Sequence, residues 1–129
     1  MKLRILNNSI RFRLTRGEVE TLYSEGIVKA HTDFPGDLDF HYVVESSPAS
    51  VKPGAFFSNR VMTVRLPDTT VRNWATTDEV SIHGRQLLDG GETVDILVEK
   101  DFKCLAPREG EDESDMYPNP QSESDEESA

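Results

Sequence analysis

Two stretches of the chain repeat one pattern, and this repeat constrains the fold more than any other feature. Residues 2–31 and 54–83 align without a gap at an offset of 52 residues, with six identical positions. Self-similarity at a fixed spacing indicates copies of one structural unit. We therefore expect two like halves within one domain. The identical pairs are Asn7/Asn59, Arg13/Arg65, Leu14/Leu66, Val19/Val71, Val28/Val80 and His31/His83.

Each copy predicts the same order of elements. Two runs of alternating apolar and polar residues flank Asn7-Asn8-Ser9 in the first copy and Asn59-Arg60-Val61 in the second. Such alternation is typical of half-buried strands. A short helix follows, and Thr15 and Glu18 have the spacing of a capping box at the first helix start. Two more strands complete each unit, so we predict ββαββ units over residues 2–46 and 54–100.

The remaining segments differ from these units in composition. Residues 47–53 contain two prolines and small side chains, which are typical of a linker. Residues 1–108 carry 14 basic and 15 acidic residues, whereas residues 109–129 carry nine acids and no base. Acidic segments with few apolar groups do not bury enough surface to fold. We therefore predict a single domain over 1–105 and an acidic disordered tail over 106–129.

The order of these features resembles the AbrB/MazE swapped-hairpin domain, in two tandem copies. The matching positions are Arg4, Asn8, Ser9, Arg13 and Leu14 in the first copy, and Val64-Arg65-Leu66-Pro67 and Asp78-Glu79-Val80 in the second. The resemblance implies a mostly β fold with two short helices, in which the two ββαββ units interleave their hairpins as a pseudo-dimeric swapped-hairpin barrel. We expect this barrel to be a monomer. The segment 98–105, followed by Tyr-Pro-Asn-Pro, also resembles small uncharacterised bacterial proteins.

One face of the first hairpin is basic. Because side chains alternate across a strand, Lys2, Arg4, Arg11 and Arg13 share a face, and Arg16 follows at the helix start. Cations of this kind bind DNA by neutralising phosphates. The resemblance implies that this face binds double-stranded DNA together with Asn8 and Ser9. The alternative is the solvated face of a half-buried sheet.

The repeat helps to separate these two interpretations. A residue present in both copies serves the shared fold, which favours a structural role for Arg13 and Arg65. The residues opposite Lys2, Arg4, Arg11 and Arg16 are Gly54, Phe56, Thr63 and Asp68, so these four cations occur in one copy only. We therefore predict that the basic face is one-sided and functional.

The acidic segment provides a second hypothesis of function. Met116 and Tyr117 are its apolar residues among acids and prolines, and such segments can fold on a protein partner. The sequence thus predicts a small non-enzymatic binding protein. It is either an AbrB-like regulator of transcription that binds DNA, or an antitoxin-like or adaptor protein that binds a partner through its tail.

Other chemistry is not indicated by the sequence. We find no glycine-rich phosphate loop, no serine elbow and no second cysteine beside Cys104, and we predict no enzyme activity and no cofactor. His31 and His83 could form a metal pair if the fold related them, but we expect them to face solvent and predict no metal. The single cysteine and the lack of a long apolar run predict a cytoplasmic protein without a membrane segment.

Overall fold

The computed structural model describes residues 1–102, which form two successive ββαββ units. The predicted order of elements is confirmed in both units. The elements are β1 (Lys2–Leu6), β2 (Ser9–Leu14), α1 (Arg16–Glu25), β3 (Ile27–Phe34), β4 (Leu38–Ser47), β5 (Gly54–Ser58), β6 (Val61–Pro67), α2 (Asp68–Thr76), β7 (Ser81–Leu87) and β8 (Thr93–Lys100).

The strands form two four-stranded sheets, and each sheet contains one hairpin from each unit. The first sheet has the order β1-β2-β8-β7, and the second has the order β3-β4-β6-β5. Within each hairpin the strands are antiparallel, whereas β2 pairs with β8 and β4 pairs with β6 in parallel. The mostly β class with two helices is therefore confirmed. Neither sheet is closed on itself, so the barrel stays a prediction.

The strand register corrects the alignment of the two units beyond their helices. Val28 pairs with Val44 across β3 and β4, and Ile82 pairs with Val98 across β7 and β8. The offset is thus 54 residues in these hairpins. Gly26, with φ of 84°, turns α1 directly into β3, whereas residues 77–80 separate α2 from β7.

Two of the six identical pairs are therefore not structurally equivalent. The counterpart of Val28 is Ile82, and Val80 is an exposed residue ahead of β7. The counterpart of His31 is Arg85, because each lies four residues after the first paired residue of its strand, Ile27 in β3 and Ser81 in β7. The predicted equivalence of His31 and His83 is wrong. It assumed that the 52-residue offset of the first hairpins also applies after the helices, where the connection in the second unit is longer.

The core lies between the inner faces of the sheets and the two helices. Helix α1 buries Val19 and Leu22, and α2 buries Val71 and Trp74 at the equivalent positions. The indole N–H of Trp74 donates to the carbonyl oxygen of Val80 at 2.9 Å. The buried cluster is completed by residues of both hairpins in both sheets, namely Phe12, Leu14, Val28, Val44, Met62, Val64, Leu66, Ile82, Ile96 and Val98. The two units thus share one core.

The two helices begin differently. The predicted capping box is present at α1, where Thr15 accepts from the Glu18 N–H and Glu18 accepts from the Thr15 N–H. The Met1 amine also donates to Glu18, at 2.6 Å. Burial acts to raise the pKa of Glu18, but the hydrogen bonds from the Met1 amine and Thr15, with the charge of the amine, lower it overall. Helix α2 begins after Pro67, without a side-chain cap.

The linker between the units packs against the first sheet. Strand β4 extends to Ser47, so the connection is shorter by one residue than predicted. Pro53 lies so close to Gly84 of β7 that a Cβ on Gly84 would be 2.7 Å from the proline ring. The side chain of Gln86 then accepts a hydrogen bond from the Ala55 N–H at 2.8 Å. These contacts fix the start of β5 at the edge of the first sheet.

Candidate nucleic-acid interface

The basic face predicted for the first hairpin is assembled on the outer side of β1 and β2. Lys2 pairs with Arg13 across the two strands, and Arg4 pairs with Arg11. The four side chains, with Leu3, line a shallow depression of about 230 Å³. Because like charges placed directly opposite each other repel, this arrangement needs nearby negative charge or an anionic ligand.

Glu99 of β8 supplies part of that negative charge. Its Oε2 atom accepts from the Nε of Arg11 at 2.7 Å and from the Nε of Arg13 at 3.2 Å. No local sequence pattern indicates this residue, because Glu99 belongs to the second unit and reaches the first hairpin only through the parallel pairing of β2 with β8. Lys2 is 3.4 Å from the carboxylate of Asp101. Three of the predicted cations thus have acidic partners within the protein.

The same ion pair occurs in the other half of the molecule. Arg65 donates to Glu45, and these residues are the counterparts of Arg13 and Glu99. In each sheet the pair joins a strand of one unit to a strand of the other. This duplication supports the structural role predicted for Arg13 and Arg65.

Arg4 and Arg16 differ from the other cations of this region. Within residues 1–102 neither guanidinium forms an ion pair with a carboxylate, and both residues are exposed. Arg16 lies beyond the end of β2, where it lines a groove with Leu14, Lys100 and Asp101. Glu20 also lines this groove, and Asp101 contacts Lys2. The groove is therefore mixed in charge and adjoins the basic face.

Asn8 and Ser9 serve the turn and the sheet in the described structure. The Asn8 side chain donates to the carbonyl oxygen of Thr93 at 3.3 Å. The backbone carbonyl of Asn8 accepts from the Asp95 N–H at 2.9 Å. Asn7 adopts a φ of 51° and its counterpart Asn59 a φ of 52°. Asparagine tolerates this left-handed conformation better than most residues, which explains the identity of these two positions.

The predicted partner-binding residues lie outside the described part, and the two histidines weighed as a metal pair are separated. His31 lies in the second sheet and His83 in the first, where it pairs with Leu97, so the fold does not make these histidines a symmetric pair. Met116, Tyr117 and Cys104 lie outside the described residues, as does the acidic segment 106–129.

Neither helix of the described part has the length and apolarity needed to cross a membrane. The cytoplasmic location stays a prediction.

Comparison with known proteins identifies a family. The model of a family of unknown function, DUF7009, matches residues 1–121. The chain belongs to this family. The match includes both ββαββ units and extends into the acidic segment. No curated protein and no solved structure matches the chain.

Proposed function

We propose that this family member is a non-enzymatic DNA-binding protein with an AbrB/MazE-like architecture. In this proposal the outer face of β1 and β2 holds double-stranded DNA, and the protein regulates transcription. Arg4 and Arg16 contact phosphates directly, and Lys2, Arg11 and Arg13 add positive potential around them. The two units of one chain replace the two subunits of a dimer, so the binding species is a monomer.

The strand order supports this architecture. The resemblance to the AbrB/MazE domain implies that hairpins of two units interleave, and here β2 joins β8 while β4 joins β6. Both junctions lie between units and not within one. An intramolecular pseudo-dimer accounts for both junctions, and closure of the two sheets into a barrel belongs to the same proposal.

The observation that carries the DNA proposal is the cluster of cations on the outer face of β1 and β2, with the exposed Arg16 near it. Arg4 and Lys2 lie two residues apart on one face of β1, a separation of about 7 Å along a strand. Asp101 contacts Lys2, and Arg16 lines the same groove as Asp101. Exposed cations spaced along one strand face suit the repeated phosphates of a duplex. The exposed Arg4 and Arg16 have no acidic partner to displace within residues 1–102.

Salt dependence of binding tests this proposal. Residues 106–129 are removed so that their acids do not compete with DNA, and binding to a double-stranded oligonucleotide is measured at increasing salt. A contact to one phosphate contributes about 0.9 to the slope of log affinity against log salt. We expect Arg4→Ala and Arg16→Ala each to lower the slope by about this amount.

Lys29→Ala is the matched control, because Lys29 is an exposed cation on the outer face of the other sheet. It should leave the slope unchanged. If Lys29→Ala reduces the slope as much as Arg4→Ala does, the attraction is general and the assigned face is wrong. Absence of binding at low salt contradicts the whole proposal. In that case a partner that is captured by the full chain but not by the truncated one would favour the adaptor role.

A further inference from the structure

Two histidines and two aspartates form a compact group on the outer face of β3 and β4. His31 pairs with His41 across the strands, and Asp33 pairs with Asp39 two residues closer to the turn. The two imidazole rings stack with their centroids 5.2 Å apart. Directly opposite residues of antiparallel strands lie about 4.5–5.5 Å apart at Cβ. All four side chains therefore lie within reach of one small ligand above the sheet.

Each histidine already contacts the aspartate of its own strand. The Nε2 of His31 is 3.3 Å from Oδ1 of Asp33, and the Nε2 of His41 is 3.3 Å from Oδ2 of Asp39. The side chains keep between 38% and 78% of their surface exposed. They are thus free to turn without disturbing the core.

This group contains a local excess of negative charge. Asp33 and Asp39 face each other, and like charges at opposite positions are destabilising. Within residues 1–102 the ion-pair partners of these two carboxylates are the histidines alone. Two cations of the neighbouring segments act elsewhere: Arg60 donates to the backbone carbonyl of Asp37 at 3.1 Å, and Lys29 lies farther along β3, opposite Val43. A bound cation would relieve the repulsion.

We propose that His31, Asp33, Asp39 and His41 bind one zinc ion. Zinc takes imidazole nitrogen and carboxylate oxygen at about 2.0–2.2 Å in a tetrahedron, which places neighbouring ligand atoms roughly 3.3 Å apart. Both Nε2–Oδ pairs have this separation. Imidazole ligands favour zinc and similar transition metals over magnesium and calcium. The ion joins β3 to β4 close to their turn.

Zinc binding requires a small movement of the side chains. Within residues 1–102 no three His, Cys, Asp or Glu side chains are arranged around a common point. The two rings, now stacked, must turn so that both Nε2 atoms face one centre. Their exposure allows this rotation, and each aspartate can follow its histidine because the two occupy the same strand face.

The sequence contains a signal for this site that the repeat concealed. His31 and Asp33 are mirrored by His41 and Asp39 about the turn at 35–37. In an antiparallel hairpin such mirror order places like residues opposite each other. The 52-residue repeat instead aligns His31 with His83. In the second unit the equivalents of His31 and His41 are Arg85 and Asp95, which form an ion pair at 2.8 Å and need no metal.

Zinc titration of the full-length protein tests the proposal. All variants carry Cys104→Ser so that the thiol does not contribute, and affinity is measured by competition with a chromophoric chelator. We expect one saturable zinc ion. His31→Ala and His41→Ala should each weaken binding by about tenfold or more, whereas His83→Ala, the matched control in the other sheet, should not change it. Zinc should also shift the imidazole proton resonances of His31 and His41 but not those of His83.

Three results would overturn the assignment. The first is the absence of saturable binding at millimolar zinc. The second is an equal loss of affinity in His83→Ala and His41→Ala. The third is zinc binding that survives His31→Ala but disappears when residues 106–129 are removed, which would place the metal on the acidic segment. Because the substituted side chains are exposed, circular dichroism should show that each variant remains folded.

Discussion

The outer faces of the two sheets have equivalent strands but different chemistry. Both contain an arginine bound to a glutamate of the other unit, as Arg13 with Glu99 and Arg65 with Glu45. Around this shared pair the first sheet has Lys2, Arg4 and Arg11, whereas the second has Gly54, Phe56 and Thr63. The Arg65 guanidinium lies over the Phe56 ring, with its Cζ atom 4.9 Å from the ring centre. The shared pair therefore maintains the junction between the units, whereas the unshared residues are free to differ.

The second hairpin of each unit extends the contrast. The β7–β8 hairpin joins Arg85 to Asp95 in an ion pair. The β3–β4 hairpin has two histidines at these positions. One face is thus predominantly cationic and the other combines imidazole and carboxylate groups. Anion binding and metal binding are therefore expected on different sheets.

The largest expected effect comes from separating the two units. Residues 1–50 contain β2 and β4 but lack β8 and β6, their parallel partners. Residues 51–105 contain β8 and β6 but lack β2 and β4. We expect neither piece to fold alone, and an equimolar mixture to recover structure because both sheets then become complete. Amide dispersion in NMR spectra provides the measurement. A monomeric 1–50 piece with dispersed resonances would show that the units are independent.

Neutralising the two equivalent glutamates should have unequal effects. Glu99 is 13% exposed and serves two arginines, whereas Glu45 is 25% exposed and serves one. Glu99→Gln leaves two guanidinium groups without a counter-charge, so we expect a loss of about 1–3 kcal/mol in unfolding free energy. Glu45→Gln should cost less than about 1 kcal/mol, as is usual for exposed pairs. Urea denaturation measures the unfolding free energy of both variants. Equal losses would show that burial and the number of arginine partners do not determine the effect.

The smallest effect concerns the start of α1 and depends on pH. Because the pKa of Glu18 in the folded protein lies below its ordinary value of 4.5, ionised Glu18 contributes stability that is fully present above that value. This contribution is lost as pH falls through the lowered folded pKa. We expect Glu18→Gln to lower the melting temperature slightly at neutral pH and to match the unmodified protein in strong acid.

Glu20→Gln, on the exposed side of the same helix, is the control and should show a smaller difference at neutral pH. The comparison with α2 sharpens the test, because that helix starts at Pro67 without a side-chain cap. A difference between Glu18→Gln and the unmodified protein that persists in acid would show that charge is not the cause.

Local patterns predicted the elements, whereas long-range placement limited the prediction of the site. Alternation located the hairpins, and Thr15 with Glu18 located the first helix start, because both signals involve neighbouring residues. The partnership of Glu99 with Arg11 and Arg13 depends on strands from different units, which no local pattern encodes. The alignment failed at one place, the connection after the helix, where Gly26 replaces a longer segment. Val43-Val44-Glu45 and Leu97-Val98-Glu99 are similar in sequence and lie 54 residues apart, which is the correct offset for the second hairpins.

The linker that packs Pro53 against Gly84 also allows the two units to be substituted independently. In a dimer of identical chains every change of residue appears twice, once on each side of the symmetry axis. A covalent connection between the halves removes that restriction, because each half is encoded separately. A cation added to β1 leaves β5 untouched, and a histidine added to β3 leaves β7 untouched. The short segment at 48–53 thus allows a symmetric framework to present two unrelated surfaces.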